Sequence, residues 1–231
     1  THTGKQVWEI NPWHWGHATH IISFEAEQPL LILSAGFFIA GHNINTGKQV
    51  WRRPMGEETW VYHSMLTTGD GVIYSCAKHW TKALRADGSE ILWEKRGGAT
   101  YPPLIYDAGR VHWVSKGGVV TCQDGKSGER VYVARVPSGG TIYASPIKAD
   151  GKIYITSREQ GVSVIADGPE FKLLAHNEFK DDKSMFDATP AFAGDCLILR
   201  SYRHLYCIGK DGDKADQRNQ HRLHTETESD S

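Results

Sequence analysis

The sequence predicts an all-β fold, a β-propeller of four-stranded antiparallel sheets, and three observations lead to this prediction. The hexamer TGKQVW occurs twice, at residues 3–8 and again at 46–51. Further sequence markers recur in register with it along the chain. The 231 residues include 24 glycines, 8 tryptophans and 9 tyrosines, a composition typical of aromatic-rich strands joined by tight turns. A four-stranded unit of about 40–45 residues is the blade of a propeller.

Three markers define the repeat. The second is a Ser/Pro strand, as in ASPI at 144–147, and the third is a short strand introduced by Gly or Asp, as in ADGKIYITS at 149–157. Markers that recur in phase indicate one supersecondary unit per repeat. The first marker is the turn glycine of the hexamer, at spacings of 43, 41, 40 and 40 residues: Gly4, Gly47, Gly88, Gly128 and Gly168.

Each unit is predicted to contain four strands, a to d. Strand a holds the Ser/Pro marker, strand b the third marker, strand c follows a tight turn, and strand d carries an aromatic residue. Alternating and β-branched residues bounded by Gly, Asp and Asn are typical of strands. The predicted propeller covers residues 1–210 and the polar segment 211–231 is predicted to be disordered. The bounds are a strand d at 3–10 and blades at about 15–53, 59–96, 99–135, 141–176 and 186–209.

The repeated hexamer has a structural interpretation. Asn45–Lys48 is predicted to be the hairpin between strands c and d, in which Gly47 takes the positive φ that such a turn needs. Trp51 then turns inward, because sheets stacked about 10 Å apart leave a gap that a large flat side chain fills. The residues predicted to stabilise the stacking of blades are Trp8, Gly47, Trp51, Gly88, Trp93, Gly128 and Tyr132.

Three segments share one pattern: GHNINTGKQVW at 41–51, ALRADGSEILW at 83–93 and CQDGKSGERVY at 122–132. They resemble the tryptophan-docking motif of the PQQ-like, quinoprotein-type propellers, which is roughly A-x-D-x-x-T-G-x-x-x-W. Asn43 replaces the Asp, Gly88 comes one position early, and Tyr132 replaces the Trp. The resemblance covers residues 3 to about 210. It implies about five blades of an incomplete seven- or eight-bladed ring, with upstream blades missing. The alternative is a closed five-bladed ring that Gln6–Glu9 completes.

The resemblance also implies the function. The family includes quinoprotein dehydrogenases, which hold PQQ beside Ca²⁺ next to a disulfide of adjacent cysteines, with an Asp as base. It also includes non-catalytic members such as the propeller of the outer-membrane β-barrel assembly lipoprotein. This sequence has no Cys-Cys pair and no haem motif. We therefore expect a non-catalytic scaffold for protein–protein or protein–ligand binding, without cofactor, in the periplasm or elsewhere in the bacterial cell envelope, or secreted. The alternative is a fragment of a PQQ-dependent quinoprotein oxidoreductase.

The charge and hydropathy of the sequence limit the classes of partner that we expect. The formal net charge is -1, so no basic field favours nucleic acid. No run approaches the ~18 apolar residues of a membrane helix. The expected partner is a protein or small ligand bound to one face of a monomer.

The candidate binding face lies on the connections from each strand d to the next strand a, here called the d–a connections. In a propeller these connections surround one end of the central channel, and Trp and Tyr are enriched among binding hot spots. The predicted face consists of the residue three positions before the Pro of each strand-a marker, or before the residue aligned with that Pro, and of two preceding tryptophans. They are Trp15, His17, Trp60, Tyr62, Thr100, Tyr143 and Asp187.

Three further groups of residues are not expected to carry metal, catalytic or disulfide chemistry. His14, His17 and His20 are spaced for a helix, but on a strand His17 and His20 face opposite sides, so no metal site is expected. Asp187 could mimic the carboxylate of a quinoprotein, but an Asp before a strand is typical of a turn. A two-residue turn at 201–202 would place Cys196 opposite Cys207. A disulfide there would be strained, so buried free thiols are expected.

Overall fold

The computed structural model describes residues 4–11, 20–24, 27–35, 38–55, 65–77, 79–98 and 102–209. Within these ranges the chain forms strands β1 to β19 and no helix, which confirms the all-β prediction. The predicted tail at 211–231 lies outside them. No helix in the described part of the chain is long and apolar enough to cross a membrane.

The strands form five sheets in chain order. The first contains β1 (Ile21–Ser23), β2 (Leu30–Ala35), β3 (Phe38–Asn43) and β4 (Gln49–Pro54). The second contains β5 (Met65–Gly69), β6 (Val72–Cys76), β7 (Trp80–Arg85) and β8 (Ile91–Arg96). The third contains β9 (Ile105–Asp107), β10 (Arg110–Val114), β11 (Val119–Asp124) and β12 (Arg130–Arg135). The fourth contains β13 (Ile147–Ala149), β14 (Lys152–Thr156), β15 (Val162–Ala166) and β16 (Leu173–Asn177). The fifth contains β17 (Ala191–Ala193), β18 (Cys196–Arg200) and β19 (Leu205–Ile208).

The first four sheets are antiparallel meanders of strands a, b, c and d, and the fifth contains strands a, b and c. Asp70 and Gly71, and likewise Asp150 and Gly151, have positive φ between strands a and b. Two such residues in succession give a hairpin twist that matches the flanking strands. The predicted propeller of four-stranded antiparallel sheets is thereby confirmed as the fold class.

The segment before the first sheet differs from the prediction. Residues 4–10 belong to no strand, because an extended segment becomes a strand only when a neighbour completes its ladder of hydrogen bonds. Among the described strands β19 pairs with β18 alone, so Gln6–Glu9 does not complete the fifth sheet.

The core lies in the contacts between neighbouring sheets, here called seams. Ile39 and Ile73 belong to one buried cluster between the first and second sheets, and Val120 and Ile153 to another between the third and fourth. In the second and third sheets, strands b and c are buried along most of their length, because each of their two faces meets another sheet. Strands d are largely exposed at the outer edge, which leaves turns and edges as the available surface.

The hairpin between β18 and β19 corrects one expectation. Its turn spans four residues, closed by the Ser201 amide, which donates to the His204 carbonyl at 2.9 Å. The Ser201 hydroxyl accepts from the amides of Arg203 and His204 at 3.1 and 2.9 Å, and such side-chain bonding shapes turns. The register therefore places Cys207 opposite Ile198, away from Cys196. Neither cysteine forms a disulfide, but Cys196 is half-buried and Cys207 exposed, so the expected burial was wrong.

Candidate functional site

The strand order decides which loops share a face. Because successive strands are antiparallel, the d–a connections lie at the same end of the sheets as the turns between strands b and c, the b–c turns. Tyr143 follows β12 and Asp187 follows β16, both in d–a connections. The other predicted face residues lie outside the described ranges: Trp15, His17, Trp60, Tyr62 and Thr100.

Arg158 joins the two predicted face residues that the structure describes. It lies on the b–c turn of the fourth sheet, with its Nη2 atom 3.3 Å from Asp187 Oδ2. The same carboxylate oxygen accepts a hydrogen bond of 2.9 Å from the Tyr202 hydroxyl. The Arg158 guanidinium carbon lies 5.3 Å from the centroid of the Tyr143 ring, within the range of a cation–π interaction. We call Lys116, Tyr143, Arg158, Asp187 and Tyr202 the Arg158 cluster.

Backbone hydrogen bonds hold this cluster in place. The Arg158 amide donates to the Thr141 carbonyl at 2.8 Å, and the Phe186 amide donates to the Arg158 carbonyl at 2.9 Å. The Tyr202 amide donates to the Met185 carbonyl at 3.0 Å. Each bond ties a b–c turn to a d–a connection, so the side chains are positioned before any partner arrives.

Sequence reasoning missed the three cluster residues that lie on b–c turns. Lys116 is on the b–c turn of the third sheet, with its Nζ atom 5.5 Å from the centroid of the Tyr143 ring. Arg158 and Tyr202 occupy the corresponding turns of the fourth and fifth sheets. The alternation of strands could have found them, because it places every b–c turn on the face of the d–a connections.

The described residues contain no site for the metal ion of a quinoprotein. The Asp187 carboxylate is engaged by Arg158 and Tyr202. Within the described part of the chain no three His, Cys, Asp or Glu side chains gather in a group that could hold a metal ion. His20 is exposed, while His14 and His17 lie outside the described residues.

Trp93 spans the seam between the second and third sheets. The residue is 9% exposed, and its Nε1 atom donates to the Gly125 carbonyl at 2.8 Å. The ring packs on Gly128, where a Cβ atom would lie 2.6 Å from it. Gly128 has a φ of 69°, so side chains are disfavoured there for both reasons.

Trp8 and Trp51 pack on the corresponding glycines of the first and second sheets, Gly47 and Gly88. Trp8 Nε1 donates to the Ile44 carbonyl at 2.9 Å, but Trp51 Nε1 is buried without a hydrogen-bond partner among the described residues. The early glycine changes this turn. The Gly88 amide donates to the Arg85 carbonyl, three residues earlier, at 2.8 Å. The Gly128 amide instead donates to the Asp124 carbonyl, four residues earlier, also at 2.8 Å.

Tyr132 takes the corresponding place between the third and fourth sheets. Its ring meets Phe171 edge-on with centroids 5.9 Å apart. Its hydroxyl oxygen is buried and has no hydrogen-bond partner in the described structure. The aromatic residue is therefore retained at this seam, while the hydrogen bond that Trp93 makes is not.

Comparison with known proteins shows the fold. No sequence-family model matches the chain, and no curated protein sequence matches it significantly. Among solved structures it resembles BamB from Moraxella catarrhalis, with a TM-score of 0.69 at 15% identity over 88% of this chain and 63% of that chain. It also resembles a quinohemoprotein alcohol dehydrogenase from Comamonas testosteroni, with a TM-score of 0.62 at 12% identity over 84% of this chain and 41% of that chain.

A europium-containing methanol dehydrogenase gives a TM-score of 0.62 at 11% identity, over 78% of this chain and 47% of that chain. The chain therefore spans less than two thirds of the length of each of these structures. The expected likeness to PQQ-like propellers is confirmed for the fold. At these identities the likeness carries no residue-level function.

Proposed function

We propose that the chain is a non-catalytic propeller scaffold that binds a protein or a small ligand on the face formed by its d–a connections and b–c turns. The observation that carries this proposal is the Arg158 cluster, in which three neighbouring sheets contribute aromatic and charged side chains to one surface. The five face residues outside the described ranges belong to the same proposal.

The chemistry of the cluster supports binding. Tyr and Arg are enriched among the residues that dominate interface energetics. Tyr202 is 61% exposed, so it offers its ring to a partner while Asp187 holds its hydroxyl. Because the backbone already fixes these groups, little conformational entropy is lost when a partner binds.

The location in the cell envelope is part of the proposal. It is supported by the structural likeness to BamB and by the resemblance of the repeated motif to a non-catalytic propeller of the outer-membrane assembly machinery. The repeats supply a rigid stack of sheets, and the loops at its end supply recognition.

The test uses a photo-crosslinking amino acid at position 202 in cells that make the full protein, followed by affinity measurements with the partner so identified. Tyr202→Ala should weaken binding by about 2 kcal/mol, or about 30-fold. The matched control is Phe24→Ala, since Phe24 is an aromatic side chain 74% exposed on the connection between β1 and β2, at the opposite end of the sheets. Equal effects of the two substitutions, or none from Tyr202→Ala, would place recognition elsewhere.

The likeness to two dehydrogenases supports a second candidate, a PQQ-dependent oxidoreductase whose cofactor residues lie elsewhere in the protein. Titration of the full protein with PQQ and Ca²⁺ separates the two functions. Saturable binding with substrate-dependent dye reduction would establish the oxidoreductase, and its absence supports the scaffold.

A further inference from the structure

One seam is built differently from its neighbours. In the seams on either side of it, the middle residue of one sheet's strand b faces the middle residue of the next sheet's strand a. Tyr74 stacks on Tyr106 with centroids 5.0 Å apart, and Tyr154 meets Phe192 at 5.3 Å. In the seam between the third and fourth sheets the corresponding residues are His112 and Lys148. An aromatic pair is thus replaced by two basic side chains.

A buried carboxylate compensates for these bases. The Asp167 side chain, 3% exposed, follows β15 and lies 2.6 Å from Lys148 Nζ. Its other oxygen is 3.5 Å from Arg110 Nη2 and 3.8 Å from His112 Nε2. Lys148 also bonds Asp107. The two cations, Arg110 and Lys148, therefore balance the two carboxylates, Asp107 and Asp167, without a charge on His112.

The surroundings of His112 favour its neutral form. It is 2% exposed, and both ring nitrogens are buried without a hydrogen-bond partner among the described residues. Burial lowers the pKa of His112 to about 4, and the charges of Arg110 and Lys148 oppose the attraction of Asp167 and Asp107. Cys122 and Tyr132 share this side of the third sheet and are uncharged, since burial raises the pKa of both, that of Cys122 to about 12.

We propose that the seam between the third and fourth sheets is a pH-sensitive joint, which opens when His112 takes up a proton. An imidazolium in the closed seam would be a buried cation with poor hydrogen bonds, which is costly. When the seam opens, water hydrates the imidazolium of His112. Since each sheet packs only on its neighbours, one seam can open while the others stay closed.

The direction follows from linkage. The pKa of His112 is depressed in the closed seam and returns to its ordinary value of 6.5 when the side chain is exposed. Neutral His112 therefore stabilises the closed seam fully above pH 6.5, and this stabilisation is lost as the pH falls towards 4. Burial acts to raise the pKa of Asp167, but the hydrogen bond from Lys148 and the nearby charges lower it overall. Asp167 therefore adds to the loss at still lower pH.

The joint also crosses the proposed binding face. Lys116 belongs to the third sheet and Tyr143 leads into the fourth, so opening moves one part of the face relative to the other. That consequence rests on the proposed function, whereas the joint itself does not.

The cysteines of the chain provide the test. Cys122 lies opposite His112 on the neighbouring strand, Cys76 belongs to the core of the seam between the second and third sheets, and Cys207 is exposed. The folded full protein is labelled with 4,4′-dithiodipyridine at pH 7.5 and 5.0, and the rates at Cys122 and Cys76 are divided by that at Cys207. From a pKa shift of 6.5 to about 4, the Cys122 ratio should rise about 30-fold at pH 5.0, while the Cys76 ratio stays constant.

The variant His112→Leu should remove the rise at Cys122. His112→Tyr, which introduces the residue of the corresponding positions 74 and 154, is a second variant if the first does not fold. A constant Cys122 ratio in the wild-type protein, an equal rise at Cys76, or a rise that persists in either folded variant would overturn the joint.

Discussion

Two neighbouring seams use the same backbone frame with different chemistry. In both, the residue that follows strand c donates its amide to a carbonyl of the preceding hairpin: Gly125 to Gly109 at 2.7 Å, and Asp167 to Gly151 at 2.9 Å. The Gly125 carbonyl accepts a hydrogen bond from the indole N–H of Trp93. At Asp167 the side chain instead binds Arg110 and Lys148.

The difference teaches that stacking of the sheets tolerates either an apolar or an ionic seam, provided that a buried carboxylate such as Asp167 is paired with cations. An apolar seam keeps its stability through mildly acidic pH, because its buried groups stay uncharged there: burial raises the pKa of Tyr74 and Tyr106. An ionic seam depends on pH, because its groups change charge on opening. The following predictions test this contrast, from the largest expected effect to the smallest.

Trp93→Ala should have the largest effect. It removes a buried ring and leaves a cavity, which should lower the free energy of unfolding by about 3–5 kcal/mol. Urea unfolding followed by far-UV circular dichroism measures this loss. Val133→Ala, an exposed position of β12, is the control and should change stability little. A loss below about 1 kcal/mol for Trp93→Ala would contradict tight packing at this seam.

Asp167→Asn should come next. The neutral amide leaves Arg110 without its carboxylate and Lys148 with Asp107 alone, which should cost about 2 kcal/mol at pH 7. The control is Asp150→Asn in an exposed turn. Because the pKa of Asp167 is lowered in the folded protein, the cost should shrink as acid protonates the carboxylate. A cost that stays constant down to pH 2 would show that the charge is not involved.

The two indoles allow a finer comparison. Trp93→Phe removes a hydrogen bond and leaves the Gly125 carbonyl unpaired, whereas Trp51→Phe removes an N–H group that has no partner. Trp93→Phe should therefore be more destabilising than Trp51→Phe by about 1 kcal/mol. Equal losses in parallel unfolding experiments would argue that the indole bond adds no net stability.

Tyr132→Phe should have the smallest effect. It removes a buried hydroxyl that lacks a partner among the described residues and keeps the ring against Phe171. The free energy of unfolding should stay the same or rise by up to about 1 kcal/mol. A clear loss of stability in thermal melts would mean that the hydroxyl is hydrogen-bonded in solution.

The sequence by itself determined the repeating architecture. The spacing of the turn glycines and the alternation of apolar residues are local patterns, and they predict strands, turns and the number of strands per sheet without knowledge of tertiary contacts. The early glycine at Gly88 and the replacement of Trp by Tyr132 are also visible in the sequence. They mark two of the positions at which the seams differ.

Only the tertiary structure decided which side chains meet across the seams and on the face. Arg110 and Asp167 are 57 residues apart, and Arg158 meets Asp187 through two different loops. No short-range pattern encodes such pairs, because they depend on how successive sheets twist and stack. The hairpin after β18 shows the same limit on a smaller scale. Side-chain hydrogen bonds of Ser201 set its length, and the length of the turn sets the register that separates Cys196 from Cys207.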